Sequence, residues 1–277
     1  MTSIATASDH EAPEAAEAPR PRRTGPTRAV RQSATVAWRQ LVQIKRNPEQ
    51  LVEVGIQPLM FVFLFAFVLA GQLAGSRQAY LQYVVPGLMV QSAVLVSART
   101  AIGINTDVTA GIFDRLRSLP ISRVAPLLGR MLADYVMLLW SVLILVTAGA
   151  ALGFRVRTHW FMLAPVCLLL LLFMLAFSWA AVYLGLLASS PESVQALAFG
   201  LMLPLTFLSG AYVRIDTMPG WLQAVVKVNP VSSLADAIRG MLVGGPVSGP
   251  MTQTLVSCAV LTVVFAPLAL MAYRRER

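Results

Sequence analysis

The segment from Gly111 to Arg123, GIFDRLRSLPISR, carries the residue types in this chain that are best suited to binding another molecule. It is short and basic, and it lies between two long apolar runs. Apolar residues recur at every third position, at Phe113, Leu116 and Leu119, which predicts one apolar face of a short helix. Pro120 ends that helix, because its ring prevents continuation.

Two arginines, Arg115 and Arg117, lie beside the apolar face. An aromatic anchor with arginines around it suits docking into the groove of a partner protein. A basic loop that sets membrane topology, or that lies on anionic lipid, would have the same composition. The segment alone leaves both interpretations open.

No nucleotide-binding or catalytic pattern accompanies this segment. A phosphate-binding loop needs glycines followed by a Gly-Lys pair, but neither lysine, Lys45 or Lys227, follows a glycine. The histidines and cysteines lack metal-ligand spacing; they are His10, His159, Cys167 and Cys258. We expect no catalytic residue, metal site or bound cofactor in this chain, so that any ATP and Mg²⁺ would be used by another subunit.

The composition predicts a membrane protein. The chain has 277 residues, of which 57% are hydrophobic and 13% charged, whereas soluble domains carry about 25% charged residues. A spanning helix needs about 20 apolar residues. Six such runs predict six transmembrane helices, with the second and fifth interrupted by polar residues or proline: 54–74, 83–104, 131–153, 160–187, 194–213 and 251–272.

The distribution of positive charge predicts the orientation. With the N-terminus in the cytoplasm and six alternating spans, the inner segments hold most of the 22 Lys and Arg residues, and the outer ones hold Arg77, Arg155, Arg157, Arg214, Lys227 and Arg239. The positive-inside rule then places both termini in the cytoplasm of a multi-pass plasma-membrane protein. Topology explains the net charge of +9, and no nucleic-acid partner is needed.

The segments outside the spans have distinct characters. Residues 1–30 are rich in Ala, Pro, Glu and Arg, which predicts a disordered cytoplasmic tail, and 31–277 form the transmembrane domain. Residues 30–46 have helical periodicity with basic flanks, which predicts a helix in the inner membrane interface that is anchored by Trp38. The outer segment 214–250 predicts two short amphipathic helices, separated by Asn229-Pro230, that re-enter the outer leaflet.

Charged residues lie near the ends of the predicted spans. Arg130 and Asp134 are four residues apart and are predicted to pair on one helix face. Structural pairing at the interface is also expected for Arg99 and Asp107. A proton-coupled transporter would place a carboxylate near mid-membrane, and none of the apolar runs has one there.

Uncharged polar residues occur within the runs: Gln91, Ser92, Ser97, Thr100, Thr147, Ser178, Thr206 and Ser209. Such residues line transport paths in some proteins, but hydroxyl groups more often bond to carbonyls of their own helix.

Two motifs and the order of elements resemble the membrane subunits of type-2 ABC exporters, above all the daunorubicin-resistance permease group. The first motif is the segment 111–123. The second is Met218-Pro219-Gly220-Trp221-Leu222, followed by Asn229-Pro230 and Asp236-Ala237-Ile238-Arg239. The resemblance covers about residues 30–275. Asp114 stands where many members of the family have Glu, which keeps the charge.

The resemblance implies which residues have a functional role. The coupling helix, which docks on the ATPase subunit, would comprise Gly111, Phe113, Asp114, Arg115, Leu116, Arg117 and Pro120. The family's C-terminal motif would comprise Pro219, Trp221, Asn229, Pro230, Asp236 and Arg239.

The resemblance also implies a fold and a mechanism. The fold class is an all-α membrane protein with six transmembrane helices, an N-terminal interfacial helix, a cytoplasmic coupling helix and a re-entrant outer helical element. Two permease copies would assemble with two ABC ATPase subunits, and closure of the ATPases would push on the coupling helices and switch the spans between inward and outward exposure. Phe113 and Leu116 would be the anchors, with Arg115 and Arg117 pairing acidic groups.

Three functions remain open at this point. The first is ATP-driven export of a small amphiphilic drug, antibiotic or lipid. The second is export of a polysaccharide or lipid-linked glycan, which the aromatic content of 8% disfavours, because a polymer path would need more aromatic residues. The third is a non-transporting membrane scaffold or enzyme, which would leave the coupling-like segment unexplained.

Overall fold

The computed structural model describes residues 48–69, 76–111, 125–213 and 215–275. The regular structure in these residues is helical. We number the α-helices along the chain: α1 Pro48–Leu64, α2 Arg77–Thr109, α3 Ala125–Leu152, α4 Leu163–Leu187, α5 Pro191–Phe207, α6 Gly220–Val228, α7 Pro230–Val243 and α8 Ser248–Arg275. A π-helical turn, Phe65–Leu69, extends α1, and 3₁₀ turns, Trp160–Met162 and Ile215–Thr217, precede α4 and α6.

Several helices begin where the sequence supplies a capping side chain. The Ser76 side chain accepts a hydrogen bond from the N–H of Ala79 at the start of α2, and Ser190 does the same for Ser193 at the start of α5. Such caps satisfy N–H groups that have no partner within the helix. The α5 and α7 helices also have proline as their first residue, where its missing N–H costs nothing.

Five helices among the described residues are long and apolar enough to cross a membrane: Leu51–Val68, Arg77–Thr109, Gly129–Leu152, Trp160–Leu187 and Ser248–Tyr273. They correspond to the first, second, third, fourth and sixth predicted runs. The α2 helix continues through Pro86 and Arg99. The chain is therefore a multi-pass membrane protein.

The fifth predicted run, 194–213, differs from the prediction at its end. The α5 helix has 17 residues and stops at Phe207, so residues 208–213 are turns rather than helix. Pro204 lies in its last turn, and the side chain of Asn229, just before α7, binds carbonyl groups at the end of α5. That interaction is part of the site described below.

The α2 helix occupies the centre of the bundle. In its most apolar stretch 89% of the residues are buried, compared with 11% in α8. It packs against α3, α4, α5 and α7, whereas α8 packs on α4 and α7, and α1 mainly on α3. The α8 helix therefore turns most of its surface outward, and α2 contacts most of the other helices.

The two short helices predicted in the segment 214–250 are present as α6 and α7, with Asn229 and Pro230 between them. The α7 helix is mostly buried against α2 and α8, so it is not a surface loop. It ends at Gly244, whose φ of +101° is readily accessible only to glycine.

Several predictions fall on residues outside the described ranges. The disordered tail 1–30, the interfacial helix with Trp38, and the segment 112–124 all lie there.

Candidate functional site

The predicted coupling segment joins the bundle between α2 and α3. The chain leaves α2 at Gly111, whose φ of +65° is typical of the glycine that follows a helix end, and re-enters helix at Ala125. Of the predicted docking residues, Gly111 belongs to the described part. The others lie outside it: Phe113, Asp114, Arg115, Leu116, Arg117 and Pro120. We call the side of the bundle that carries this junction the Gly111 end.

An ion pair connects the two helices that flank this junction. Arg130 Nη1 of α3 lies 3.2 Å from Asp107 Oδ2 of α2. The guanidinium group lies directly over Gly103, where a Cβ atom would come within 1.5 Å of Arg130 Nη2. The absence of a side chain at Gly103 therefore makes room for the pair.

Arg130 forms its ion pair with Asp107 and not with Asp134, the partner that the spacing had suggested. Asp134 Oδ2 instead accepts a hydrogen bond of 2.6 Å from Thr100 Oγ1 of α2. Both residues face α2, as their spacing of four implies, but Gly103 lets the arginine extend to Asp107. The polar contacts thus run between helices rather than along α3.

Two further contacts join α2 to its other neighbours near this end. Arg99 Nη2 binds Glu53 Oε1 of α1 at 2.8 Å. Asn105 Nδ2 donates to the carbonyl oxygens of Gly185 and Ala188, at 2.8 and 2.7 Å, and so satisfies carbonyl groups at the end of α4.

We call this set of contacts the polar brace; it comprises Glu53, Arg99, Thr100, Asn105, Asp107, Arg130 and Asp134. It connects α2 with α1, α3 and α4 around the junction of the predicted coupling segment. The sequence analysis did not identify Asn105. A carboxamide within a mostly apolar helix indicates a residue that hydrogen-bonds to a neighbouring helix.

A second polar cluster lies at the opposite end of the bundle, which we call the Arg239 end. Arg239 Nη2 donates to the carbonyl oxygens of Gly210 and Ala211, both at 2.7 Å, and Nε donates to that of Tyr83 at 2.9 Å. Nη1 lies 2.6 Å from Asp236 Oδ1. The guanidinium carbon also lies 3.6 Å from the centre of the Tyr83 ring, which favours a cation.

The arginine thus binds the chain just after α5. The Tyr83 hydroxyl lies within hydrogen-bond distance of two carbonyl oxygens of the same stretch, 2.7 Å from that of Gly210 and 3.0 Å from that of Val213. Gly87 of α2 touches it directly, because a Cβ atom at this position would lie 2.1 Å from the carbonyl oxygen of Ala211. Residues 208–213 are held by α2 and α7 together.

Asn229 forms further hydrogen bonds at the non-helical break after α5 and at the start of α7. Its Nδ2 donates to the carbonyl oxygens of Leu205 and Leu208, at 2.7 and 2.9 Å, while its Oδ1 accepts from the N–H of Val231 at 2.9 Å. Pro230 follows as the first residue of α7. Asn229 therefore closes the end of α5 and caps the start of α7.

The second motif divides into two groups in the structure. Asn229, Asp236 and Arg239 meet at the break, and Pro230 starts the helix that carries two of them. Pro219 and Trp221 lie at the start of α6 instead, and the Trp221 side chain is 72% exposed.

Most hydroxyl groups within the spans bond to carbonyls of their own helix, as predicted. Ser97 donates to the carbonyl of Ala93, Thr147 to that of Leu143 and Thr206 to that of Met202. Across the described ranges no three His, Cys, Asp or Glu side chains come together as metal ligands.

Comparison with known proteins identifies the family. The model of the ABC-2 type transporter family matches residues 31–243. The chain belongs to this family. The resemblance to this family that the sequence suggested is thereby confirmed.

Several relatives in the family are named for drug resistance. The chain is 37% identical over 255 residues to "Daunorubicin resistance ABC transporter permease protein DrrB1" of Streptomyces coeruleorubidus, which covers 91% of this chain and 89% of the relative. It is 32% identical over 230 residues to "Probable doxorubicin resistance ABC transporter permease protein DrrC" of Mycobacterium tuberculosis, covering 79% and 80%.

Proposed function

We propose that this chain is the permease subunit of an exporter that moves a small amphiphilic compound out of the cytoplasm, driven by ATP. ATP and Mg²⁺ bind to a separate ABC ATPase subunit. The family match supports the permease role, and the relatives named for daunorubicin and doxorubicin resistance support an amphiphilic drug as substrate.

In this proposal six helices cross the plasma membrane. The α5 helix is the remaining span: its 17 residues measure about 25 Å at 1.5 Å per residue, slightly less than the roughly 30 Å of the hydrocarbon core. The outer segment 214–250, which includes α6 and α7, is the re-entrant outer element. The Gly111 end faces the cytoplasm with both termini, in agreement with the positive-inside count.

The observation that carries the proposal is the ion pair between Asp107 and Arg130. These residues lie on either side of the segment 111–123, so a force on that segment reaches α2 and α3 as one unit. Because α2 packs on most other helices, movement of its Gly111 end changes the whole bundle. Phe113 and Leu116 are the anchors on the ATPase in this proposal, and Arg115 and Arg117 pair with acidic groups of the ATPase.

The working assembly in this proposal has two permease copies and two ATPase subunits. The α1 and α5 helices carry exposed apolar side chains, among them Met60, Phe67 and Leu201, which need lipid or a second copy to cover them. The interfacial helix anchored by Trp38 lies at the inner membrane surface.

Co-purification with the ATPase subunit tests the proposal. Phe113→Ala should raise the dissociation constant of the ATPase about tenfold or more, because buried aromatic anchors dominate interfaces. Phe161→Ala is the matched control: it removes an exposed aromatic ring at the opposite end of the bundle. ATPase activity and doxorubicin export are then measured in lipid vesicles. If the ATPase binds wild type and Phe113→Ala equally well, the coupling role of the segment is wrong.

A further inference from the structure

A groove along α1 lies next to a small cavity between α1, α2 and α3. Arg99 and α1 residues, among them Glu49, Glu53, Val52, Ile56 and Met60, line an open groove of about 610 Å³. Gln57 and Arg99 also line the neighbouring cavity of about 20 Å³ between α1, α2 and α3. The groove has the size of a drug-binding site, whereas the cavity has room for about one water molecule.

The side chain of Gln91 is the unusual feature of the cavity. It is 3% exposed and lines the cavity wall, yet among the described residues it has no hydrogen-bond partner. Its neighbour Ser92 is satisfied, because it donates to the carbonyl of Leu88 and accepts from Ser141. The Gln91 carboxamide therefore faces the cavity and can bind a polar group there.

The groove also carries charge. The carboxylate of Glu53 forms an ion pair with Arg99. Glu49 forms no ion pair with another described residue. The apolar residues Val52, Ile56 and Met60 are about half exposed or more, at 55%, 49% and 66%. One carboxylate beside an apolar surface is complementary to a molecule with one cationic group and an apolar body.

We propose that this groove is the entry site for a monocationic amphiphile, with Glu49 binding the cationic group and Gln91 hydrogen-bonding a polar group deeper in the bundle. Gln91 lies eight residues from Arg99 along α2, which is about 12 Å along the helix axis. Gln57 and Arg99 line both the groove and the cavity, so the two parts of the site are adjacent. The proposal rests on the proposed export of an amphiphile and names the residues that receive it.

Binding of doxorubicin tests the site. The full-length permease is reconstituted in nanodiscs of neutral lipid, and the dissociation constant is measured by fluorescence. Gln91→Leu should weaken binding about three- to tenfold, the loss expected for one hydrogen bond. Glu49→Gln should weaken binding about threefold at low salt and less at high salt. N-acetylated doxorubicin, which is uncharged, should respond to Gln91→Leu and not to Glu49→Gln.

Matched substitutions on α5 provide the controls. Gln195→Leu and Glu192→Gln make the same chemical changes at exposed positions of that helix and should bind doxorubicin like wild type. Gln91→Leu should not lower the thermal midpoint, because Gln91 has no hydrogen bond to lose. A loss of binding together with a loss of folding would contradict the site.

Parallel export assays with the ATPase subunit separate the two proposals. If wild type exports doxorubicin while Gln91→Leu and Glu49→Gln bind and export as well as wild type, the site is wrong and the export function stands. If wild type neither binds nor exports doxorubicin, the proposed substrate class is wrong, and the proposed binding site is wrong as well. Rapid disulfide formation between two Ile56→Cys copies, unaffected by doxorubicin, would show that a second copy covers the groove.

Discussion

The two ends of the bundle use charged residues in different ways. At the Gly111 end, Asp107 and Arg130 pair side chain to side chain, and about a quarter of each side chain is exposed, 27% and 24%. At the Arg239 end, the guanidinium group binds three backbone carbonyls besides Asp236 and is 12% exposed. Side-chain pairs join one helix to another, whereas a cation bound to backbone fixes the path of the chain. The polar brace therefore lets α2 and α3 move as one unit, and the Arg239 cluster holds the chain after α5 rigidly.

The largest effect is expected for Arg239. Arg239→Met should lower the free energy of unfolding by about 3–5 kcal/mol, since it leaves the carbonyls after α5 and the carboxylate of Asp236 without their partner. Arg239→Lys should rescue little, because an ammonium group cannot reproduce the planar fork. Thermal unfolding in detergent measures the change, with Trp221→Ala, at an exposed site, as the control. A decrease of less than about 1 kcal/mol in the free energy of unfolding would contradict the rigidity of the Arg239 end.

Substitutions of two glycines on α2 form a matched pair, and their effects are expected to be of intermediate size. Gly87→Ala should destabilise the protein by about 1–3 kcal/mol, because the new methyl group meets the backbone at Ala211, which cannot move aside. Gly103→Ala meets the flexible end of Arg130, so it should have a smaller effect on stability and a larger effect on export. Unfolding and export are measured for both variants. Equal stability loss in both would show that the two ends are equally rigid.

The smallest effect on stability is expected for the ion pair at the Gly111 end. Asp107→Asn or Arg130→Gln should change the free energy of unfolding by about 1 kcal/mol or less, as is usual for partly exposed pairs. Each should nevertheless reduce ATPase-driven export, because α2 and α3 no longer move together. The reversed pair, Asp107→Arg with Arg130→Asp, should recover part of the export. Unchanged export in both single variants would argue against the brace as the mechanical link.

The sequence was sufficient for features that depend on neighbouring residues. Five of the six predicted apolar runs are membrane-length helices in the described residues, and periodicity around Asn229-Pro230 predicted α6 and α7. Back-bonding of Ser97, Thr147 and Thr206 followed from their own helices. Each of these depends on contacts within about four residues, which spacing reveals directly.

Features that depend on packing between helices were not predicted. The spacing of Arg130 and Asp134 suggested a pair, but the space above Gly103 directs the arginine to Asp107 across 23 residues. The end of α5 at Phe207 depends on Asn229 and Arg239, which come more than 20 residues later. The sequence assigned Asp236 and Arg239 to a motif. Only the fold shows that Arg239, paired with Asp236, binds the non-helical chain after α5.

The double role of Asn229 imposes an order on how the protein is made. Its side chain binds carbonyls of residues synthesised 24 and 21 positions earlier. At about 5–20 residues per second, a ribosome delivers Asn229 one to several seconds after Leu205. During that time the end of α5 has unpaired carbonyl groups, which are costly within the hydrocarbon core. The last turn of α5 must therefore remain at the membrane surface, or within the insertion machinery, until α7 arrives to complete it.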